Sequence, residues 1–310
     1  MKGIFKKFSV LILAALFFGS ANLASASPLP LNHLNYQDNP RVLYNISPQL
    51  FKKLIDQVVI AFSPIVRMHG AELRANYLWN DSTVNAYATR EGNVWTLNMF
   101  GGLARRKEIT PDGFSMVVCH ELGHHLAGYP FKGGPSEYAN PWAAAEGQSD
   151  YFATQTCAHV IWGNDFAENA KHRFTVDPIA KQMCDRNWSY QTQRDLCYRT
   201  ADAGQSLANL LNVLEDANRP VRFQNAKNRV LVPYTDTSHP AAQCRLETYL
   251  NGAICRRPFD LRVIPGFGPH FSGGSPMEEE KEAANYSCGE RGSAYDGSRP
   301  RCWFKPLLNW

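Results

Sequence analysis

The sequence predicts an α+β fold, mainly helical, with a small antiparallel β-sheet and a disulfide-containing C-terminal tail. Three observations lead there. Leu50, Phe51, Leu54, Ile55, Val58, Val59 and Phe62 recur at helical spacing. Between residues 71 and 96 the period shifts towards two, the mark of short strands. Past Arg257 the chain turns rich in Pro and Gly yet keeps Cys288 and Cys302. The 310 residues, 44% apolar and 19% charged, can bury a large core, which excludes wholesale disorder. After the N-terminus there is no sustained run of ~18 apolar residues, which argues against a polytopic membrane protein.

Residues 1–26 read as an export signal. A basic stretch at 1–7 precedes an apolar run at 10–18, and Ala24-Ser25-Ala26 supplies the small residues of a cleavage site, so the mature chain is expected to start at Ser27. The rival is an uncleaved anchor over residues 8–26. The product is expected in the periplasm or outside the cell, with no integral span after cleavage. Lys2, Lys6 and Lys7 carry three of the four net positive charges, so nothing in the remainder asks for nucleic acid or an anionic membrane.

Residues 28–46, with three prolines and several Asn, form an extended lead-in. Ser47 as N-cap and Pro48 as first helical residue open an amphipathic helix over 48–62. Strands follow at 71–79, 84–89 and 93–99, the last two joined as a hairpin around Glu91-Gly92-Asn93. Thr110-Pro111 opens a second helix that runs to about Ala127, with Gly128 as its stop. A third runs from Pro141 to Trp162 and ends at Gly163. Residues 165–200 look like a polar insertion closed by a disulfide; a fourth helix covers 203–217 and a short fifth follows Pro240. The expected organisation is a signal (1–26), one main domain (27–255) and a Pro/Gly-rich extension (256–310).

All eight cysteines lie in the exported part. No C-x-x-C pair occurs, so disulfides are preferred to a thiolate zinc site. Short separations suggest Cys184 with Cys197, Cys244 with Cys255 and Cys288 with Cys302, leaving Cys119 for Cys157.

The chemistry sits on two helices. His120-Glu121-Leu122-Gly123-His124 is an HExxH pattern. Positions four apart on a helix differ by about 40°, so both imidazoles leave one face about a turn apart and can reach one zinc ion. Glu121 flanks that face, placed to act as base towards a zinc-bound water. Glu146, with Asp150 one turn later, would complete a His2Glu set and leave the fourth position open, as a catalytic zinc requires. Asp150 would stand behind a ligand histidine, accepting its second N–H. A Cys119–Cys157 bond would tie the two ligand helices together.

These residues carry a resemblance. Val84-Asn85-Ala86-Tyr87-Ala88-Thr89, Asn93 to Met99 with Gly101-Gly102-Leu103, Thr110-Pro111-Asp112, the HExxH pattern and Glu146/Asp150 resemble the M48-type (Ste24/HtpX-like) zinc metalloproteases in a soluble, exported gluzincin form. Ser238-His239-Pro240 and Arg245 are similar to that family's downstream His-Pro and Arg elements. The resemblance covers 48–162 and 203–250, and implies a zincin-like catalytic domain. It also implies that the strand Val94, Trp95, Thr96, Leu97, Asn98, Met99 is the edge that pairs with an extended peptide substrate. His239 would donate to the oxyanion, and Arg245 would support the site electrostatically. His125 points about 100° from the ligand face and is read as supporting or structural. His69, His159, His172 and His270 lack a partner pattern. The family's membrane helices and appended helical repeats are absent; the 165–200 insertion and the tail stand in their place and are expected to govern substrate choice.

The leading functional reading is therefore a zinc endopeptidase acting on proteins or peptides. Its alternative is a metal-stabilised, proteolytically silent binding or chaperone-like envelope protein. Glu121 separates them, since a silent protein has no use for a base at that position.

Overall fold

The computed structural model describes residues 25–27, 29–30, 32–133, 142–215, 219–223, 231–288 and 297–307. The basic and apolar parts of the export signal, the expected helix start at Pro141 and the end of the expected fourth helix lie outside the described residues. Helix α1 (Pro48–Met68) begins where expected, because the Ser47 side chain accepts from the Leu50 N–H and Pro48 needs no partner there. It continues through Pro64 and ends six residues beyond 62, at Met68. Phe51, Leu54, Ile55, Val58, Phe62 and Val66 form its buried stripe, each worth roughly 1.5–3 kcal/mol when fully buried.

The sheet contains β1 (Ser25–Ala26), β2 (Glu72–Leu78), β3 (Ala86–Glu91) and β4 (Val94–Phe100) in the order β1-β3-β4-β2. Strands β3 and β4 form the expected hairpin, turning at Gly92, whose φ of 57° suits a residue without a Cβ. The sheet is mixed rather than wholly antiparallel. The hairpin folds β4 inward, where it runs parallel to β2 from the Glu72–Val94 pair to the Leu78–Phe100 pair. That order also corrects the strand assigned to substrate. Val94–Met99 is interior, with β3 on one side and β2 on the other, so its main-chain groups are already paired. The edges of the sheet are β1, the two-residue strand that pairs with β3, and β2.

After α2 (Gly101–Ala104), the Thr110 side chain accepts from the Gly113 N–H and starts α3 (Pro111–Leu126). Every residue of α3 from Gly113 to Leu126 is buried, so this helix forms the axis of the molecule rather than a surface element. Gly128, at φ 72°, ends it. The third helix divides into α4 (Glu146–Phe152), a π-helical turn (Ala153–Cys157) and α5 (Ala158–Trp162).

The polar segment 165–200, closed by the expected Cys184–Cys197 bond, is largely helical. It contains α6 (Phe166–Lys171) and α7 (Pro178–Asn187), and its end belongs to α8 (Gln191–Leu214), a 24-residue helix continuous with the expected fourth one. Asp177 caps α7 by accepting from the Ile179 N–H, with Pro178 in the first turn. Helices α9 (Ala242–Ile254), α10 (Phe267–Phe271) and α11 (Pro276–Ala283) complete the chain.

Four disulfides use all eight cysteines. Cys119–Cys157 and Cys184–Cys197 match expectation; the other two are Cys244–Cys302 and Cys255–Cys288. Cys244 and Cys255 cannot pair with each other, because they sit at opposite ends of α9. Eleven residues of helix separate Cα atoms by roughly 16 Å, far beyond disulfide reach. The main core joins α1, the sheet, α3, α8 and α9. A smaller cluster of Tyr129, Phe131, Cys244, Ala283, Trp303 and Phe304 fastens the C-terminal segment to it. No helix among the described residues is long and apolar enough to cross a membrane.

Candidate metal centre

Helix α3 crosses α4 at Gly123, which has no side chain. A Cβ on Gly123 would lie 3.0 Å from both Cα and O of Ser149, so glycine permits the approach. That crossing brings His120 and His124 of α3 against Glu146 at the start of α4. One ligand atom from each lies within 4.8 Å of the other two, and all three residues are wholly buried. A paired stretch delivers Glu146 to this point: Phe131 bridges Ala144, and the Lys132 N–H donates to the Ala143 carbonyl.

The hydrogen bonds behind the two imidazoles set their tautomers. His120 Nδ1 is 2.7 Å from Asp150 Oδ1, and His124 Nδ1 is 2.8 Å from the Ala144 carbonyl oxygen. Both partners only accept, so both Nδ1 atoms carry hydrogen and both Nε2 atoms turn to the centre. His124 Nε2 has no hydrogen-bond partner among the described residues, nor has either oxygen of Glu121, although both side chains are buried. Buried polar atoms rarely stay unsatisfied, so these three fit a site that takes a metal and its water.

The two ligand histidines are driven in opposite directions. Burial penalises the charged ring of His120, but Asp150 and Glu146 outweigh it and raise the group to about 9, so without a metal Nε2 keeps its hydrogen and donates to Glu146 Oε2 at 3.1 Å, a proton that a metal would displace. Burial depresses His124 to about 3, leaving it neutral, as a ligand must be. Burial would also push Glu146 up, yet Lys132, His124 and His120 hold it well below the usual carboxylate range. For Glu121 burial, aided by Glu146, outweighs the pull of His120, Lys132 and Arg245 and pushes it up to about 8.

Asp150 is the hub behind the ligands. Besides His120 it accepts from Arg245 Nε at 2.6 Å, Arg245 Nη2 at 2.7 Å and the Tyr249 hydroxyl at 2.8 Å. Arg245 and Tyr249 are one turn apart on α9, both buried, so a single face of that helix serves the carboxylate. His239 stands at the rim, its Nε2 3.7 Å from Glu146 Oε1 and 2.9 Å from the Ser27 carbonyl oxygen. Burial lowers its pKa. His125 does not face the centre; it is stacked between Trp95 at 4.9 Å and Trp142 at 4.7 Å. His172 lies elsewhere, paired with Asp112 and Asp202.

Two participants escaped the sequence reading. Lys132 Nζ reaches Glu146 Oε1 at 2.5 Å, but nothing in its local sequence marks it. Tyr249 was detectable in principle, four residues after Arg245 on a helix. The tail also contributes: Trp303 packs on Gly147, where a Cβ would come within 2.4 Å of the ring, and Arg299 donates to Gln148 Oε1. Compared with protein-family models, curated proteins and solved structures, the chain finds no match among any of the three.

Proposed function

We propose that the chain is an exported zinc peptidase of the M48 type, an endopeptidase, with His120, His124 and Glu146 as ligands. The observation that carries this reading is Glu121. A carboxyl group buried beside a metal-competent triad, without a hydrogen-bond partner among the described residues and pushed up to about 8, has no structural task there. A bound zinc would supply a polarised substrate carbonyl and an acidified water.

The chain's own residues supply the rest. Glu121 takes the proton of the attacking water and returns it to the leaving amine, a task suited to a pKa near neutrality. His239 Nε2–H, which donates to a peptide carbonyl in this structure, steadies the carbonyl oxygen as it gains charge. Asp150 and Arg245 keep His120 in one tautomer and orientation. Four disulfides fit the oxidising compartment that the export signal predicts.

The test combines metal analysis with a quenched-peptide assay. One metal per chain, chelator-sensitive cleavage and recovery with zinc are expected. Glu121→Gln should keep the metal and lose about 100-fold or more of the turnover. Cleavage by that variant at the parent rate would overturn the mechanism. Metal binding with no cleavage by the parent would favour the silent binding protein.

A further inference from the structure

The chain lays its own backbone across the site. Ser25 and Ala26 pair antiparallel with Thr89 and Ala88 on the outer edge of β3. The methyl group of Ala26, 1% exposed, is enclosed by Ala88, Trp142 and Ala143. One residue later the Ser27 carbonyl accepts from His239 Nε2, and that nitrogen is 3.7 Å from Glu146. The segment is then moored: the Ser27 hydroxyl donates to Asn85 Oδ1, Leu29 enters the main core, and the Val84 N–H donates to the Leu34 carbonyl. An extended main chain, a carbonyl at the histidine and a small side chain in a pocket together describe how a peptide lies there.

The pocket cannot widen easily. Ala26 is 1% exposed among Ala88, Ala143 and Trp142, so a side chain larger than a methyl group would press on those residues. The Trp142 wall is backed by His125, and His125 by Trp95, whose other neighbour is the Arg90 guanidinium 5.0 Å from its ring. His125, with both ring nitrogens unpartnered and buried, thus acts as a spacer that holds the wall in place. We infer that the groove between β3 and Trp142 selects peptides with Gly, Ala or Ser at the residue preceding the carbonyl held by His239. The inference rests on the peptidase reading for its chemistry, while the selection itself is a property of the groove.

Binding of labelled hexapeptides of the form Ser-X-Ser within a fixed frame tests this in the zinc-loaded mature chain carrying Glu121→Gln, where nothing is cleaved. That chain begins at Ser27, so residues 25 and 26 do not fill the groove, and melting curves check folding. With X as Ala or Ser, affinity should exceed that for Leu or Phe by about tenfold to a hundredfold, the cost of overfilling a packed site. Retaining Ala26 should weaken binding of the Ala peptide. Ala88→Leu should abolish it, and Trp142→Ala should bring the Leu peptide to within about threefold of the Ala peptide. Equal affinity for Ala and Leu peptides in the chain that begins at Ser27 overturns the inference. The two readings fail separately. Selective binding without turnover by the chain that keeps Glu121 removes the peptidase and leaves the groove. Turnover without preference at X removes the groove's selectivity and leaves the peptidase.

Discussion

Replacing Asp150 by Asn separates the two tasks of this carboxylate. The side chain keeps its shape but loses its charge and half its acceptor capacity. Arg245, 1% exposed, would keep a guanidinium whose two N–H bonds of 2.6 and 2.7 Å had pointed at a carboxylate. Leaving one member of a buried ion pair uncompensated costs about 3–5 kcal/mol. Independently, His120 would lose the acceptor that holds hydrogen on Nδ1, and outer partners of this type contribute about 10–100-fold to metal affinity. Guanidinium unfolding followed by tryptophan fluorescence, with metal removed, measures the first effect. Competition with a chelator of known affinity measures the second. Adding Arg245→Met should restore part of the stability, because no charge is then left buried, but none of the metal affinity. If metal affinity changes by less than about threefold while stability falls as stated, the tautomer argument for Asp150 is wrong.

Other outcomes follow from neighbouring features. Replacing Cys119 and Cys157 by Ala opens a 38-residue separation, and loop entropy puts the loss at about 4 kcal/mol, readable as a lower denaturation midpoint. Gly147→Ala drives a methyl group to within 2.4 Å of the Trp303 ring, which should cost about 1–3 kcal/mol and weaken metal binding through the adjacent Glu146; an unchanged melting curve would refute that contact. His172 has burial against it, but Asp112 and Asp202 raise it to about 9. Its contribution is complete below its unfolded value near 6.5 and lost as pH rises through about 9, so a melting temperature falling by a few degrees over that interval is expected, and His172→Gln should flatten the slope.

What was legible in the sequence was local. The spacing of His120 and His124, the Thr110 and Ser47 caps, and the one-turn step from Glu146 to Asp150 are all fixed within a single helix, where 100° per residue suffices. Strand order is not local. Nothing in the alternation of β4 says whether β2 will lie beside it, and so an interior strand was read as an edge. The Cys244–Cys302 and Cys255–Cys288 pairs failed for a related reason, since the reach between cysteines depends on the length of α9, which was judged too short. Helices α6 and α7 were hidden by their polar faces, although the Asp177-Pro178 start signal was present. Lys132 and Trp303 reach the centre from coil, through contacts that no periodicity announces.

The positions of the disulfides have a consequence for the order of maturation. Cys119 immediately precedes the ligand His120, Cys244 immediately precedes Arg245, and Cys302 immediately precedes Trp303. Three residues of the centre and its support are thus each next to a half-cystine, and the bonds in question join α3 to the π-helical turn and α9 to the tail. While the thiols are reduced, nothing covalent holds these pieces in register. Oxidation would then fix the register of the centre, and on the peptidase reading proposed above a chain exported before it is oxidised would gain its activity only outside the reducing compartment in which it is synthesised.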